Sequence, residues 1–313
     1  MNKALKGYLF AAVAAAAYGT NPAFAVPLYE EGMNPNSVLF FRYILGLPLL
    51  ALLMKNRGIR FGLKKTEIVP VAILGILMAF SSLTLFESYN YLNAGVASTL
   101  LFVYPILVAV LMIFLFHEKF RVSIVICLLL MAAGLIMLMK PQDNQVISSF
   151  GVLLVMVSAI TYALYIIMVN VSKVIQEVAT TKLLFYVLAW GSLVFIIKTL
   201  LGTPMIMPVG GNEWLSLIAL AIIPTVLSLT CTTIAINLIG STPTAIFGAL
   251  EPVSAVILSY FVLHQPITGR EIIGGLLIVL ATTIVIGGKS VDKVILGVRK
   301  MWPKSWHQHR PPQ

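Results

Sequence analysis

A carboxylate and a proline stand side by side, Glu251-Pro252, in the middle of an apolar run from Ser241 to Leu263. A charge at mid-membrane costs roughly 3 kcal/mol on insertion scales and several times that in simulations, so an ionisable group there marks a functional site by default. Proline removes a helical hydrogen bond and bends the chain. Hydrocarbon disfavours the ionised form of a carboxyl, which suits Glu251 to binding and releasing a proton or to pairing with a cationic substrate. The competing role is a hydrogen-bonded structural acid that holds its helix to a neighbour.

Two other groups of residues carry chemistry. Arg42 and Glu87 are charges within or beside apolar runs, near the same ends of consecutive segments. A salt bridge between them would lower the insertion penalty of each. The alternative gives Arg42 a substrate carboxylate or phosphate, which its forked donors match. The third group is aromatic and amide: Tyr18, Asn21, Asn90, Tyr104, Tyr162, Tyr165, Asn170 and Asn237. Polar groups inside spans face protein or a cavity rather than lipid. An apolar cavity with a few polar groups suits a small amphipathic metabolite. Tyr89 and Tyr91, at a segment end, read as interfacial belt residues.

These groups need membrane helices to position them. The chain has 313 residues, 59% hydrophobic and 10% charged, against about 25% charged in soluble domains. A span needs ~20 apolar residues. Ten such segments are expected: Leu5–Val26, Val38–Met54, Ile68–Tyr89, Gly95–Phe116, Val122–Met139, Phe150–Asn170, Lys182–Leu201, Trp214–Leu238, Thr242–Leu263 and Ile272–Gly287. The runs are continuous rather than alternating, which favours helices over a barrel. The net charge of +10 is a matter of topology, not of nucleic acid. With the N-terminus inside, 17 Lys and Arg fall on the inner side and 3 on the outer, while Arg42 lies within a span. That bias places both termini in the cytoplasm.

Cys127 and Cys231 both fall within spans, where Cys is packing material, and no disulfide framework is expected. The run ending Ala23-Phe24-Ala25 looks like a signal-peptidase site, yet it is long enough for a first span and is read as one. His307 and His309 in the tail are too few for a metal site, and His117 and His264 fall on opposite faces, so no metal or cofactor is expected.

The chain is written twice. With Pro105 set on Pro252, an offset of 147, Asn90 meets Asn237, Leu111 meets Leu258, Phe114 meets Phe261 and His117 meets His264. Gly7, Tyr18 and Phe41 meet Gly151, Tyr162 and Phe185 at the offset of 144. Tyr104 is thereby the mate of Glu251. Five spans per repeat is an odd number, so the halves are inverted, a secondary-transporter plan whose substrate site lies mid-membrane at interrupted helices. Pro105 and Pro252 are the helix-break candidates, while Pro22, Pro48 and Pro224 interrupt other segments. The expected organisation is a first repeat over 4–140, a second over 149–288 and a basic cytoplasmic tail over 289–313. In that tail the apolar residues from Val291 to Trp302 fall at helical spacing, as in an amphipathic helix on an anionic leaflet. Gly46, Gly134 and Gly274-Gly275 would let helices approach closely.

Several short motifs resemble the EamA-type branch of the drug/metabolite transporter superfamily, over residues 4–288. Tyr18-Gly19-Thr20-Asn21-Pro22 is similar to that family's W-G-S-N-F pattern. Phe41-Arg42-Tyr43 is similar to its helix-2 arginine pattern, and Phe116-His117-Glu118-Lys119-Phe120 to its G-E-R/K-L/F turn. Leu250-Glu251-Pro252-Val253 is a form common in its second repeat. Two positions depart: His264-Gln265-Pro266 lacks the expected Glu, and Tyr18 replaces Trp. The resemblance implies ten helices in two inverted repeats and transport of small metabolites by alternating access. It also makes Glu251 part of shared machinery rather than a reader of one substrate.

The sequence thus predicts an all-α integral membrane protein of the inner membrane. Its function would be secondary transport of small organic metabolites, such as amino acids or related compounds, with proton coupling as one route to drive it. Its expected partners are a small-molecule substrate and the lipid bilayer, with a homodimer compatible and nucleic acid excluded. A channel or lipid scramblase of the same architecture is the alternative. An intramembrane enzyme fits less well, since H-E-x-x-H and G-x-S-x-G are missing. ATP hydrolysis lacks its G-x-x-x-x-G-K-[ST] loop.

Overall fold

The computed structural model describes residues 2–92, 94–118, 121–138, 148–263 and 268–301, and all regular structure among them is helical. In chain order the helices are α1 (Lys3–Tyr18), α2 (Asn21–Glu30), α3 (Pro35–Asn56), α4 (Lys65–Ser88), α5 (Ala94–Leu101), α6 (Tyr104–Phe116), α7 (Val122–Leu138) and α8 (Ser149–Val171). There follow α9 (Lys173–Glu177), α10 (Thr180–Leu200), α11 (Gly211–Leu220), a π-helical segment Ala221–Leu227, α12 (Ser228–Ile239), α13 (Ser241–Phe247), α14 (Leu250–Leu263) and α15 (Gly269–Met301).

Nine helical stretches among the described residues are long and apolar enough to cross a membrane. Several are composite: α1 with α2, α11 with α12 through the π-helical segment, and α13 with α14. A tenth helix, α7, is apolar but has 17 residues, about 26 Å at the helical rise and just short of a ~30 Å hydrocarbon core.

The ends of these helices follow from local chemistry. Asn34 Oδ1 accepts from Ser37 N at 2.8 Å and caps α3. At the start of α15, Glu271 Oε2 accepts from Thr268 N at 2.8 Å while Thr268 Oγ1 accepts from Glu271 N at 3.3 Å, a reciprocal capping box. His117 ends α6 at φ 54°, in the left-handed region, and lets Glu118 N reach back to Met112 O at 3.0 Å. It stands where the resembling family has glycine.

Helix pairs rather than a single core organise the bundle. α1 packs on α12, α4 on α8, α10 on both α3 and α4, and α7 on α15. The last pair meets at glycine: a Cβ on Gly134 would lie 2.7 Å from Gly274 O, and a Cβ on Gly274 would lie 2.7 Å from Gly134 O. The alanine run of α1 is part of the interior, with Ala11, Ala14, Ala15 and Ala17 buried. Long apolar side chains such as Phe114, Leu115, Leu129 and Leu276 face outward, as a hydrocarbon solvent requires.

Two expectations change here. The tail segment from Val291 is not a separate surface helix, because α15 runs without interruption from Gly269 to Met301. Pro48 does not break its helix, since α3 continues through it. The turns at Lys119-Phe120 and His264-Gln265-Pro266, Lys140, and the tail from Trp302 onward lie outside the described residues.

Candidate functional site

Three helix breaks build the site. Helical hydrogen bonding lapses at Gly19-Thr20 between α1 and α2, at Phe102-Val103 between α5 and α6, and at Gly248-Ala249 between α13 and α14. Each is followed within four residues by a proline, Pro22, Pro105 or Pro252. Proline is tolerated in a first helical turn, where its missing N–H is not needed. The breaks also touch. A Cβ on Gly19 would collide with the carbonyl of Glu251 and come within 3.0 Å of Ser254 Cβ. A Cβ on Gly248 would collide with the Tyr104 hydroxyl and lie 3.0 Å from Ala245 O. Glycine at these two positions is what lets the interruptions pack together.

Side chains at the breaks converge. Tyr104 is buried, and its hydroxyl donates to Ala245 O at 3.3 Å, one of the carbonyls near the α13–α14 break. Its ring meets Tyr162 edge-on at 4.8 Å, and Tyr162 stacks on Tyr165 at 6.2 Å. Tyr165 is fully buried with its hydroxyl beside Thr233 Oγ1, and neither oxygen finds a partner of good hydrogen-bond geometry. Glu251 acts electrostatically on Tyr18, Tyr104 and Tyr162, so the carboxyl and the three phenols share one locality. Glu251 and Tyr18 are surrounded by protein yet keep partial accessibility. The Glu251 carboxyl forms no hydrogen bond or ion pair with another described residue.

Arg42 completes the cluster from α3. It is 0% exposed. It donates through Nε to Thr225 Oγ1, through Nη1 to Asn21 Oδ1 at 3.1 Å and through Nη2 to Pro224 O at 3.2 Å. The guanidinium carbon lies 5.7 Å from the Tyr18 ring centroid and 6.0 Å from that of Phe86, within cation–π range. All its partners are neutral. A buried charge without a counter-ion is costly unless hydrogen bonds and polar rings replace its hydration. Arg42, like Glu251, acts electrostatically on Tyr18 and Tyr162.

The Arg42–Glu87 salt bridge expected from their common depth does not form. Glu87 pairs instead with Lys198 of α10 and accepts from Asn90 Nδ2 at 3.2 Å. Arg42 turns inward to the breaks, whereas Glu87 stays at the rim beside another helix's cation. Asn237 also stays out: it is exposed on α12. Asn170 is a fastener rather than a lining residue, donating to Ser241 Oγ at 3.1 Å and accepting from Gln176 through its carbonyl. Thr225, Phe86, Gly19 and Gly248 are the participants that sequence reasoning missed. The one available signal was Pro224, which put a helix irregularity directly before Thr225.

Fasteners close the bundle on both sides of this cluster. On the side where the chain begins, Thr242 Oγ1 donates to Glu118 Oε2 at 2.9 Å, and Arg57 Nη1 donates to Thr181 Oγ1 at 3.3 Å. On the opposite side, Asn34 Nδ2 donates to Pro204 O at 2.7 Å, and Asn36 Nδ2 donates to Thr199 Oγ1 at 2.9 Å. There the carboxyl of Glu31, an exposed residue, is pushed up by slight desolvation and then by its neighbour Glu213. A cluster of one cation, one acid and several phenols between two fastened faces has the chemistry to bind a small polar molecule. Among the described residues no group of His, Cys, Asp and Glu is arranged to hold a metal.

Known proteins share this plan. The model of the EamA-like transporter family matches twice, over residues 5–140 and 149–287. A protein of Archaeoglobus fulgidus described as an uncharacterized transporter is 24% identical over 255 residues, 81% of this chain and 87% of its own length. One protein crystal structure superposes with a TM-score of 0.78 at 18% identity, covering 92% of this chain and 98% of its own, a likeness of fold alone. With matches that span both halves and apolar helices throughout, the chain belongs to the EamA-like transporter family and is a multi-pass membrane transporter.

Proposed function

We propose that the protein is a secondary active transporter for small organic metabolites, amino acids or related zwitterions, working across the inner membrane by alternating access. The observation that carries this reading is the pair of uncompensated charges. Arg42 has only neutral partners and Glu251 has none among the described residues, and both act on Tyr18 and Tyr162. A zwitterion offers a carboxylate to the guanidinium and an ammonium to the carboxyl and the phenol faces. Glu251 also supplies a site for a coupling proton when no ammonium is bound.

The architecture in this proposal is ten spans in two inverted repeats, with α7 as the fifth span. Support comes from the packing, which survives exchange of the halves. The first span lies on the eighth through α1 and α12, as the sixth lies on the third through α8 and α4. The second and seventh pair with each other through α3 and α10, and so do the fifth and tenth through α7 and α15. At the offset of 147 the breaks at Phe102-Val103 and Gly248-Ala249 coincide within one residue. The lysine and arginine bias puts both termini in the cytoplasm. Glu118–Thr242 then fastens the cytoplasmic face.

A thermal-shift screen of the purified protein against amino acids, sugars, nucleosides and cationic drugs tests the substrate class. A bound ligand raises the melting temperature in proportion to RT ln(1 + [L]/Kd). Stabilisation by amino acids, followed by saturable counterflow in proteoliposomes, is the expected result. Stabilisation confined to sugars or nucleosides overturns the zwitterion reading. A conductance that rises linearly with concentration overturns the carrier.

A further inference from the structure

The π-helical segment deserves its own chemistry, because its irregularity and the charge of Arg42 satisfy each other. Pro224 has no N–H, so the carbonyl of Leu220 cannot receive its ordinary helical donor. The π register turns that carbonyl to the backbone N–H of Thr225 instead, and Thr225 Oγ1 adds a second bond, donating to Leu220 O at 2.7 Å. A hydroxyl has one proton, so the lone pairs of Thr225 Oγ1 are left for an incoming donor. That donor is Arg42 Nε. The carbonyl of Pro224 takes Arg42 Nη2 at 3.2 Å.

Nε and Nη2 lie on one edge of the planar guanidinium. A grip on both sets the plane and the rotation of the fork. Of five N–H groups three are engaged, counting the bond from Nη1 to Asn21. Beyond these three bonds one N–H remains on each terminal nitrogen, with the Tyr18 hydroxyl as a further neighbour of the guanidinium, and a substrate carboxylate would compete with that phenol for them. Thr225 is as buried as Arg42, and its hydroxyl is already taken up by Leu220 O and Arg42 Nε, so it has no donor to offer a ligand.

We propose that Thr225, carried by the π-helical segment of the eighth span, is the positioning residue that fixes the Arg42 guanidinium to receive the anionic group of the substrate. The inference rests on the reading that Arg42 binds that group. It adds a residue that acts through Arg42 rather than on the substrate, and it makes carboxylate recognition depend on the register of a helix on the other half of the chain.

Thr225→Val is nearly isosteric and removes the acceptor, Thr225→Ser keeps it, and Thr225→Ala provides the same deletion if the valine variant does not fold. The probes are the twenty L-amino acids and, for each that stabilises the wild type, the amine left when its carboxyl group is removed. Losing a hydrogen bond to a charged group predicts a rise in KM of about tenfold or more for the amino acid in the valine variant. Its kcat and the affinity for the amine should stay within about twofold, and the serine variant should return close to wild type. Equal losses for amino acid and amine would mark a merely structural residue and overturn the proposal. A second readout needs no ligand. The Arg42 Nε–H resonance in protein labelled with ¹⁵N-arginine, identified by its disappearance in Arg42→Lys, should shift in Thr225→Val and be retained in Thr225→Ser. An unchanged resonance overturns the proposal whatever the substrate. If no amino acid binds the wild type, the zwitterion reading falls, and the resonance still decides whether Thr225 holds Arg42.

Discussion

The breaks before Pro105 and Pro252 use the same backbone device for opposite ends. At the first, Tyr104 is buried and its hydroxyl is spent on Ala245 O. At the second, Glu251 remains partly accessible and has no partner among the described residues. A duplicated frame thus holds one position closed by a neutral phenol and leaves the corresponding one open with an acid. The lesson is that the repeat sets where the helices part, and the side chain at each parting sets whether its polar group is bonded within the bundle or left unpartnered.

Steric closure should have the largest effect. Gly248→Ala drives a methyl group into the Tyr104 hydroxyl. Overpacking of this kind costs about 1–3 kcal/mol, read as a lower melting temperature with loss of transport. Adding Tyr104→Phe removes the colliding oxygen and should recover much of both; a double variant no better than Gly248→Ala would break the account of how the two partings meet. Glu251→Gln comes next. Transport should fall about tenfold or more and lose its pH dependence, while folding is retained. Wild-type rate with unchanged pH dependence would return Glu251 to a structural role. Tyr104→Phe alone removes one neutral hydrogen bond, so a loss of about 1 kcal/mol in stability and a mild change in rate are expected. A larger transport defect than that of Glu251→Gln would invert the comparison.

Smaller effects belong to the periphery. Lys198→Met removes the rim partner of Glu87. Exposed and half-exposed pairs contribute about 0–1 kcal/mol, so melting temperature should move little, less still in high salt, with substrate KM unchanged. At the same face Glu31→Gln relieves the repulsion from Glu213. A carboxyl pushed up in the folded state contributes stability that is complete at acid pH and is lost as pH rises through its folded value. The variant's advantage should therefore appear at neutral pH and vanish toward about pH 4, as thermal denaturation across pH would register.

The helices were legible because hydrocarbon imposes long apolar runs, and the partings were legible because proline needs a first turn. What a linear sequence does not carry is azimuth, the direction a side chain takes around its helix. Arg42 and Glu87 share a depth, yet one turns to the centre and the other meets Lys198. Asn90 and Asn237 match in the repeat, and both lie at helix ends rather than in the interior. Thr225 escaped notice because a π-helical register has no composition of its own; only the proline beside it gave a sign.

The unbroken course of α15 has a mechanical consequence. Its 33 residues reach about 50 Å at the helical rise, some 20 Å more than the hydrocarbon thickness. A stiff rod that protrudes by that much magnifies rotation: a tilt of about 5° about the membrane midplane would sweep its tip through roughly 3 Å. A fluorophore fixed near Met301 would therefore act as a pointer, turning a slight rocking of the last span into a displacement large enough to time.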